Sequence, residues 1–196
     1  MRYLSILFLL LTCSFATSAQ VNANGQIDIK KGDVLKYVAK TPDGGKVDFL
    51  ITVLYKDNSG VGFQYKVVNG KKVIQGKCLV TPEGTKAGSS LNWDNLNPGE
   101  ERHVSKDQTL FFYSQKFYKE LVSDKKAVYG GTTYVLKPTP VAKQVKVNKK
   151  KVKALYVTSQ DGKEAFWILD NPDFPLLLNS AGNQQGPDMQ LVNVGK

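Results

Sequence analysis

The sequence predicts a mainly β fold, a curved antiparallel sheet or open barrel of about ten strands packed on one helix. Three observations lead there. Apolar and polar residues alternate with period two through most of the stretch from Leu35 to Val80. Turn-forming clusters divide that stretch, with Asp43-Gly44, Asp57-Asn58-Ser59-Gly60 and Asn69-Gly70 in succession. Helical spacing of apolar residues is convincing in one place only, Gln115 to about Ser123.

In chain order, Met1–Ala19 has the layout of a secretory signal. Arg2 supplies the basic start, Leu4–Leu11 the apolar core, and Ala16-Thr17-Ser18-Ala19 the small residues before Gln20, so cleavage is expected after Ala19. The apolar run is too short to span a bilayer. Leu10-Leu11-Thr12-Cys13 has the outline of a lipobox, with Thr12 standing where Gly, Ala or Ser is required, so lipidation at Cys13 is the weaker alternative. The expectation is a periplasmic or secreted protein with one β-rich domain over residues 20–196.

Val21–Lys31 reads as a polar lead-in. Leu35, Tyr37 and Ala39 then share one face of a first strand. Val47, Phe49, Ile51, Val53 and Tyr55 share one face of a second, whose other face carries Leu50 and Leu54. Val61–Val67 and Lys72–Val80 complete a four-stranded antiparallel meander. Residues 81–107 keep no period, with Trp93 and Leu96 as isolated apolar anchors, and a connection of this length reads equally as a lid over a site or as a surface loop. Thr109–Tyr113 is a short strand, and Ser114 is placed to cap the helix that buries Phe117, Tyr118, Leu121 and Val122. Ala127–Leu136 is a strand bent at Gly130-Gly131. Val141–Val147 and Val152–Ser159 are expected to pair around Asn148-Lys149-Lys150-Lys151, and Met189–Val194 to close the sheet.

The segment Ala165–Asn179 stands apart. Phe166-Trp167-Ile168-Leu169 and Leu176-Leu177-Leu178 flank a turn holding Pro172 and Pro175, and neither run alternates, so both faces must be hidden from water. One helix is visibly available to cover them. Either the sheet wraps around that helix, or an open barrel takes an apolar ligand against Phe111, Phe117, Leu121, Phe166, Trp167 and Leu177.

Charge and composition narrow the chemistry. The formal net charge is +10, from 27 Lys and Arg against 17 Asp and Glu. An exported chain of this charge points to anionic lipid or acidic polysaccharide as partner rather than nucleic acid. Lys149, Lys150, Lys151 and Lys153, with Lys143 and Lys146 nearby, gather at one hairpin. They form a candidate anion site with peripheral membrane contact, or alternatively guard the hairpin edge against pairing. Cys78 is the one cysteine beyond the leader, in an alternating run, and reads as a small buried hydrophobe. His103 is the sole histidine; with one His and one Cys no zinc set is available, no Gly-x-Ser-x-Gly elbow occurs, and the glycine pairs lack the spacing of a phosphate cradle. The reading is a non-enzyme without cofactor or metal.

Leu110-Phe111-Phe112-Tyr113-Ser114 followed by Phe117 and Leu121, together with Phe166-Trp167-Ile168-Leu169-Asp170-Asn171-Pro172 and Pro175-Leu176-Leu177-Leu178, resembles a family of exported bacterial proteins of unknown function over residues 105–194. Members are similar in outline to the LolA and LolB lipoprotein carriers, and no carrier functional residue maps to a position here. The resemblance implies a curved antiparallel sheet half enclosing an apolar cavity lidded by helical segments. The expected function is non-catalytic binding of a lipid or lipoprotein-like molecule in the sheet's concavity. The alternative is a structural or interaction module with a filled core, touching anionic glycan or lipid through the basic hairpin.

Overall fold

Alternating apolar residues bury one face of each strand in the first half of the chain, as a half-covered antiparallel sheet requires. The structure is a computed structural model and describes residues 21–40 and 44–196. The expected leader, its cleavage site and Cys13 lie outside the described residues. The meander is β1 (Val34–Lys40), β2 (Lys46–Asp57), β3 (Gly60–Asn69) and β4 (Lys72–Val80). Leu35 and Tyr37 on β1, Ile51 and Val53 on β2, Phe63 and Tyr65 on β3, and Cys78 on β4 are fully buried on the inner face. Leu50 and Leu54 are half-buried.

The chain continues through α1 (Pro82–Ala87), β5 (Ser90–Leu91), β6 (Glu101–His103), β7 (Gln108–Thr109) and α2 (Gln115–Asp124). It ends with β8 (Lys126–Tyr129), β9 (Thr132–Lys137), β10 (Lys146–Val147), β11 (Lys150–Lys151), β12 (Ala154–Ser159), β13 (Ala165–Leu169), β14 (Leu177–Ala181) and β15 (Asp188–Gly195). Eleven strands form one open sheet in the order β6-β4-β3-β2-β1-β15-β14-β13-β12-β9-β8. Neighbours are antiparallel except β4 and β6. The last strand therefore sits in the middle, joining two meanders, and the sheet does not close into a barrel. One register shift on β15 skips Val192, so that Met189, Leu191 and Val194 all face Ala39, Tyr37 and Leu35 across β1.

Several expectations are corrected. Among the described residues there are two α-helices: Thr81 accepts a hydrogen bond from Gly84 N at 3.0 Å and Pro82 opens the first turn of α1, which is too short to show an apolar period. On α2 only Phe117 and Leu121 are buried; Val122 is exposed, and Tyr118 donates its hydroxyl to Asp170 Oδ1 at 2.6 Å. Val21–Lys31 is part of the core, with Val21, Ile27 and Ile29 buried and Val21 bridged to Ile27; polar neighbours masked those three positions. Gly130-Gly131, both at positive φ, form the turn of a hairpin between β8 and β9 rather than a bend in one strand. Val141–Lys143 is a single 3-10 turn, so the basic hairpin is two residues per strand, and β12 pairs instead with β9 and β13. After β7 the backbone turns sharply: Phe111 has φ 63°, and Phe112 bridges to Leu176.

Side chains on β13 point alternately to two covered faces. Phe166 and Ile168 meet α2 in a cluster with Tyr113, Phe117, Leu121, Tyr129 and Tyr134. Trp167 and Leu169 belong to the larger cluster that runs under the meander and includes Ile27, Val147, Phe174 and Leu191.

Candidate functional site

The six apolar residues singled out from the sequence are all 5 % exposed or less. Phe117, Leu121, Phe166 and Leu177 lie in the helix-side cluster, Phe111 and Trp167 in the other. Between α2 and the sheet the space is filled by rings: Tyr113 stacks on Phe117 at 4.9 Å, Phe117 meets Tyr129 at 4.6 Å, and Tyr134 meets Phe166 edge-on at 5.4 Å. The aromatic supply of the chain itself thus covers Phe166 and Leu177. A buried carboxylate pins this side: Glu164 accepts from the Tyr134 hydroxyl at 2.9 Å and from Gln184 N at 2.7 Å.

Over the meander the cover is a loop, and there a pocket of about 240 Å³ remains. Its floor is one cross-strand row, Phe49 opposite Val67 opposite Ile74. Leu110, Phe111, Pro187 and Met189 form the walls, and Trp93 and Leu96 the roof, with Asn92, Asp94 and Asn95 bringing polar groups to its edge. Phe111 is the one residue of the expected ligand set that reaches it. Its left-handed backbone, costly for a bulky residue, lets its carbonyl accept from Leu177 N at 2.8 Å while its ring stacks on Tyr37 at 6.0 Å.

The roof is held from several points. Arg102, brought there by the pairing of β6 with β4 opposite Cys78, spends all five of its N–H groups on the loop. Nε and Nη2 donate to Glu100 at 2.8 and 2.9 Å, Nη1 to Asn92 Oδ1 and the Asp94 carbonyl at 3.2 and 3.1 Å, and Nη2 to the Asn95 carbonyl at 2.6 Å. These bonds hold the Glu100 carboxyl below its ordinary pKa, and the carboxylate in turn raises that of Arg102. From the sheet, Tyr65 donates its hydroxyl to the Asn97 carbonyl at 2.7 Å, and Gly99 N donates to Gln75 O at 2.7 Å. Trp93 lies flat on Gly186: a Cβ at that position would come 2.4 Å from Trp93 Cε3. Arg102 and Gly186 were not visible as site residues in the sequence, because a single arginine in a polar loop has no pattern; the isolated Trp93 and Leu96 were the available signal.

The basic hairpin is built around Asn148 and Lys149, both at positive φ, 51° and 63°. That is the geometry of a tight primed turn. Asn148 anchors it to β15, accepting from Val194 N at 2.8 Å and donating to the Val194 carbonyl at 2.7 Å. Lys146 and Lys151 face each other directly across the two strands. Lys150 Nζ donates to the Val21 carbonyl at 3.4 Å, and Lys153 N to the Gly25 carbonyl at 2.7 Å. Among the described residues, none of Lys143, Lys146, Lys149, Lys150, Lys151 and Lys153 makes an ion pair.

His103 is exposed, 3.8 Å from Glu101. Cys78 is fully buried, and burial pushes its thiol pKa up to about 11. Among the described residues no three His, Cys, Asp or Glu side chains converge as a metal site, and no helix is long and apolar enough to cross a membrane. No protein family, curated protein or solved structure matches this chain.

Proposed function

We propose that this is an exported envelope protein that binds an apolar or amphipathic molecule, without catalysis, in the pocket between the Phe49–Val67–Ile74 row and the Trp93–Leu96 loop. The observation that supports it is the lining: apolar side chains from the sheet, the walls and the loop, with polar groups drawn from the single loop segment Asn92–Asn95. That is the arrangement of a small-molecule site, in which apolar burial supplies affinity and a few polar groups supply orientation. The volume of about 240 Å³ falls below the roughly 300–1,000 Å³ of sites that engulf a drug-sized ligand. The pocket therefore takes one part of a molecule, an acyl segment or a ring, with the polar end left beside Asn92–Asn95.

The test is a titration with N-phenyl-1-naphthylamine, which fluoresces on entering an apolar site. Trp93→Ala should weaken binding about tenfold, which corresponds to about 1.4 kcal/mol. Gly186→Ala, which pushes the indole off its seat, should shift tryptophan emission and weaken binding in the same direction. A wild-type protein that leaves the probe dark, and carries no lipid in native mass spectrometry, would falsify this reading.

A further inference from the structure

We infer that the basic hairpin β10–β11, with the exposed turn that precedes it, docks the protein on an anionic lipid surface. The inference does not depend on the pocket, which lies at the other end of β15: Pro187 and Met189 line the pocket, whereas the hairpin is anchored at Val194.

Three observations converge. The hairpin concentrates Lys146, Lys149, Lys150 and Lys151, all exposed, and none is matched by a carboxylate among the described residues. Lys146 sits directly opposite Lys151, a like-charge pairing that destabilises a ladder on its own and is relieved by an anion placed over it. Edge protection is a poor account of these lysines, because β10 and β11 stand outside the eleven-stranded sheet, whose edges are β6 and β8, and two-residue strands offer little ladder to guard.

The third observation separates a lipid surface from an acidic polymer. Val141, on the 3-10 turn that precedes the hairpin, is 82 % exposed, more than any other large hydrophobic residue among the described residues, and Pro140 and Ala142 beside it are exposed too. An exposed apolar turn adjoining a lysine hairpin in the chain matches an interface where acyl chains lie beneath phosphates. A sulfated or carboxylated glycan offers nothing to the valine.

Co-sedimentation of the full chain with vesicles of phosphatidylcholine, alone or mixed with phosphatidylglycerol, reads the effect. Binding is expected only to the mixed vesicles and should fall as salt is raised, since the Debye length is about 10 Å at 0.1 M. Each lysine near an anionic surface is worth about fivefold in partition, so Lys149→Glu, Lys150→Glu and Lys151→Glu combined should cost at least about a hundredfold. Lys71→Glu, Lys72→Glu and Lys106→Glu combined, the same change of net charge at other exposed positions, should cost far less. Val141→Ser, which removes the apolar contact without adding charge, should weaken vesicle binding and leave binding to soluble dextran sulfate unchanged. The inference is overturned by wild-type protein that ignores the mixed vesicles or by equal losses in the two triple variants. Binding confined to dextran sulfate and indifferent to Val141→Ser overturns it in favour of an acidic polymer.

Discussion

The two halves of the sheet are covered differently, and the difference separates core from site. Over β8, β9, β12, β13 and β14 the cover is α2, a helix that delivers Phe117 and Leu121 one turn apart into a layer already holding Tyr113, Tyr129, Tyr134 and Phe166. Rings from both layers interlock, and the space closes. Over β2, β3 and β4 the cover is a loop whose backbone needs partners of its own. Arg102 together with Tyr65 and Gln75 of the sheet satisfies its carbonyls and amides, and it contributes two apolar side chains to the pocket, Trp93 and Leu96. Two side chains do not fill what a helix face would, and about 240 Å³ stays open. A high density of apolar residues therefore marks the filled half, and a sparse pair of them in a polar loop marks the open one.

Truncation should expose this contrast. Phe166→Ala removes a ring packed against Tyr113 and Tyr134 and leaves a cavity under α2. The expected loss is about 3–5 kcal/mol in urea denaturation, with probe binding by the remaining folded protein unchanged. A loss under about 1 kcal/mol would mean the helix side is not tightly packed after all. Arg102→Ala should cost less, about 2 kcal/mol, because its partners regain water at the edge of the pocket. Its signature is local: faster hydrogen exchange at Asn97, whose N–H rests on Glu100 Oε2 at 3.1 Å, and weaker probe binding. Arg102→Lys should rescue little, since an ammonium cannot reach five acceptors in a plane. If Arg102→Ala unfolds the protein as deeply as Phe166→Ala, the loop is part of the core and the contrast fails.

How much of this the sequence could show follows from which signals are local. The meander was legible because period-two alternation and Asn69-Gly70 act over a few residues, and the N-cap at Ser114 acts over three. The need to cover both faces of Ala165–Asn179 was legible as well, from Phe166-Trp167-Ile168-Leu169. The identity of the cover was not. Tyr113, Tyr129 and Tyr134 come from three separate elements, and only the topology places them over β13. The same holds for the pocket: Ile74 meets Phe49 only through two hairpin registers, and Trp93 meets Gly186 across half the chain. Lys149–Lys151 was legible as a charge cluster, but that Lys146 opposes Lys151, and that Val141 stands exposed beside them, required the hairpin to be two residues long rather than seven.

The effect that is smallest at neutral pH and grows only in alkali lies at the seam between the loop and the meander, at Cys78. Its side chain is fully buried on β4 opposite Arg102 of β6. Desolvation raises its pKa from 9.0 to about 11, against a smaller opposing pull from the Arg102 charge. A thiol whose folded pKa is raised favours the fold fully while it is neutral in both states, below about 9. That contribution is lost progressively as the pH climbs from 9 toward 11. Wild type should therefore lose stability over this window faster than Cys78→Ala, both measured by denaturant titration; the buried tyrosines titrate in both proteins and cancel in the difference. At pH 8 iodoacetamide should leave the native thiol unmodified until denaturant opens the meander. Arg102→Ala should raise the alkylation rate through loop opening. Prompt alkylation of the wild-type protein would place the meander beneath the loop among the loosely held parts of the sheet and reverse the order of the two halves.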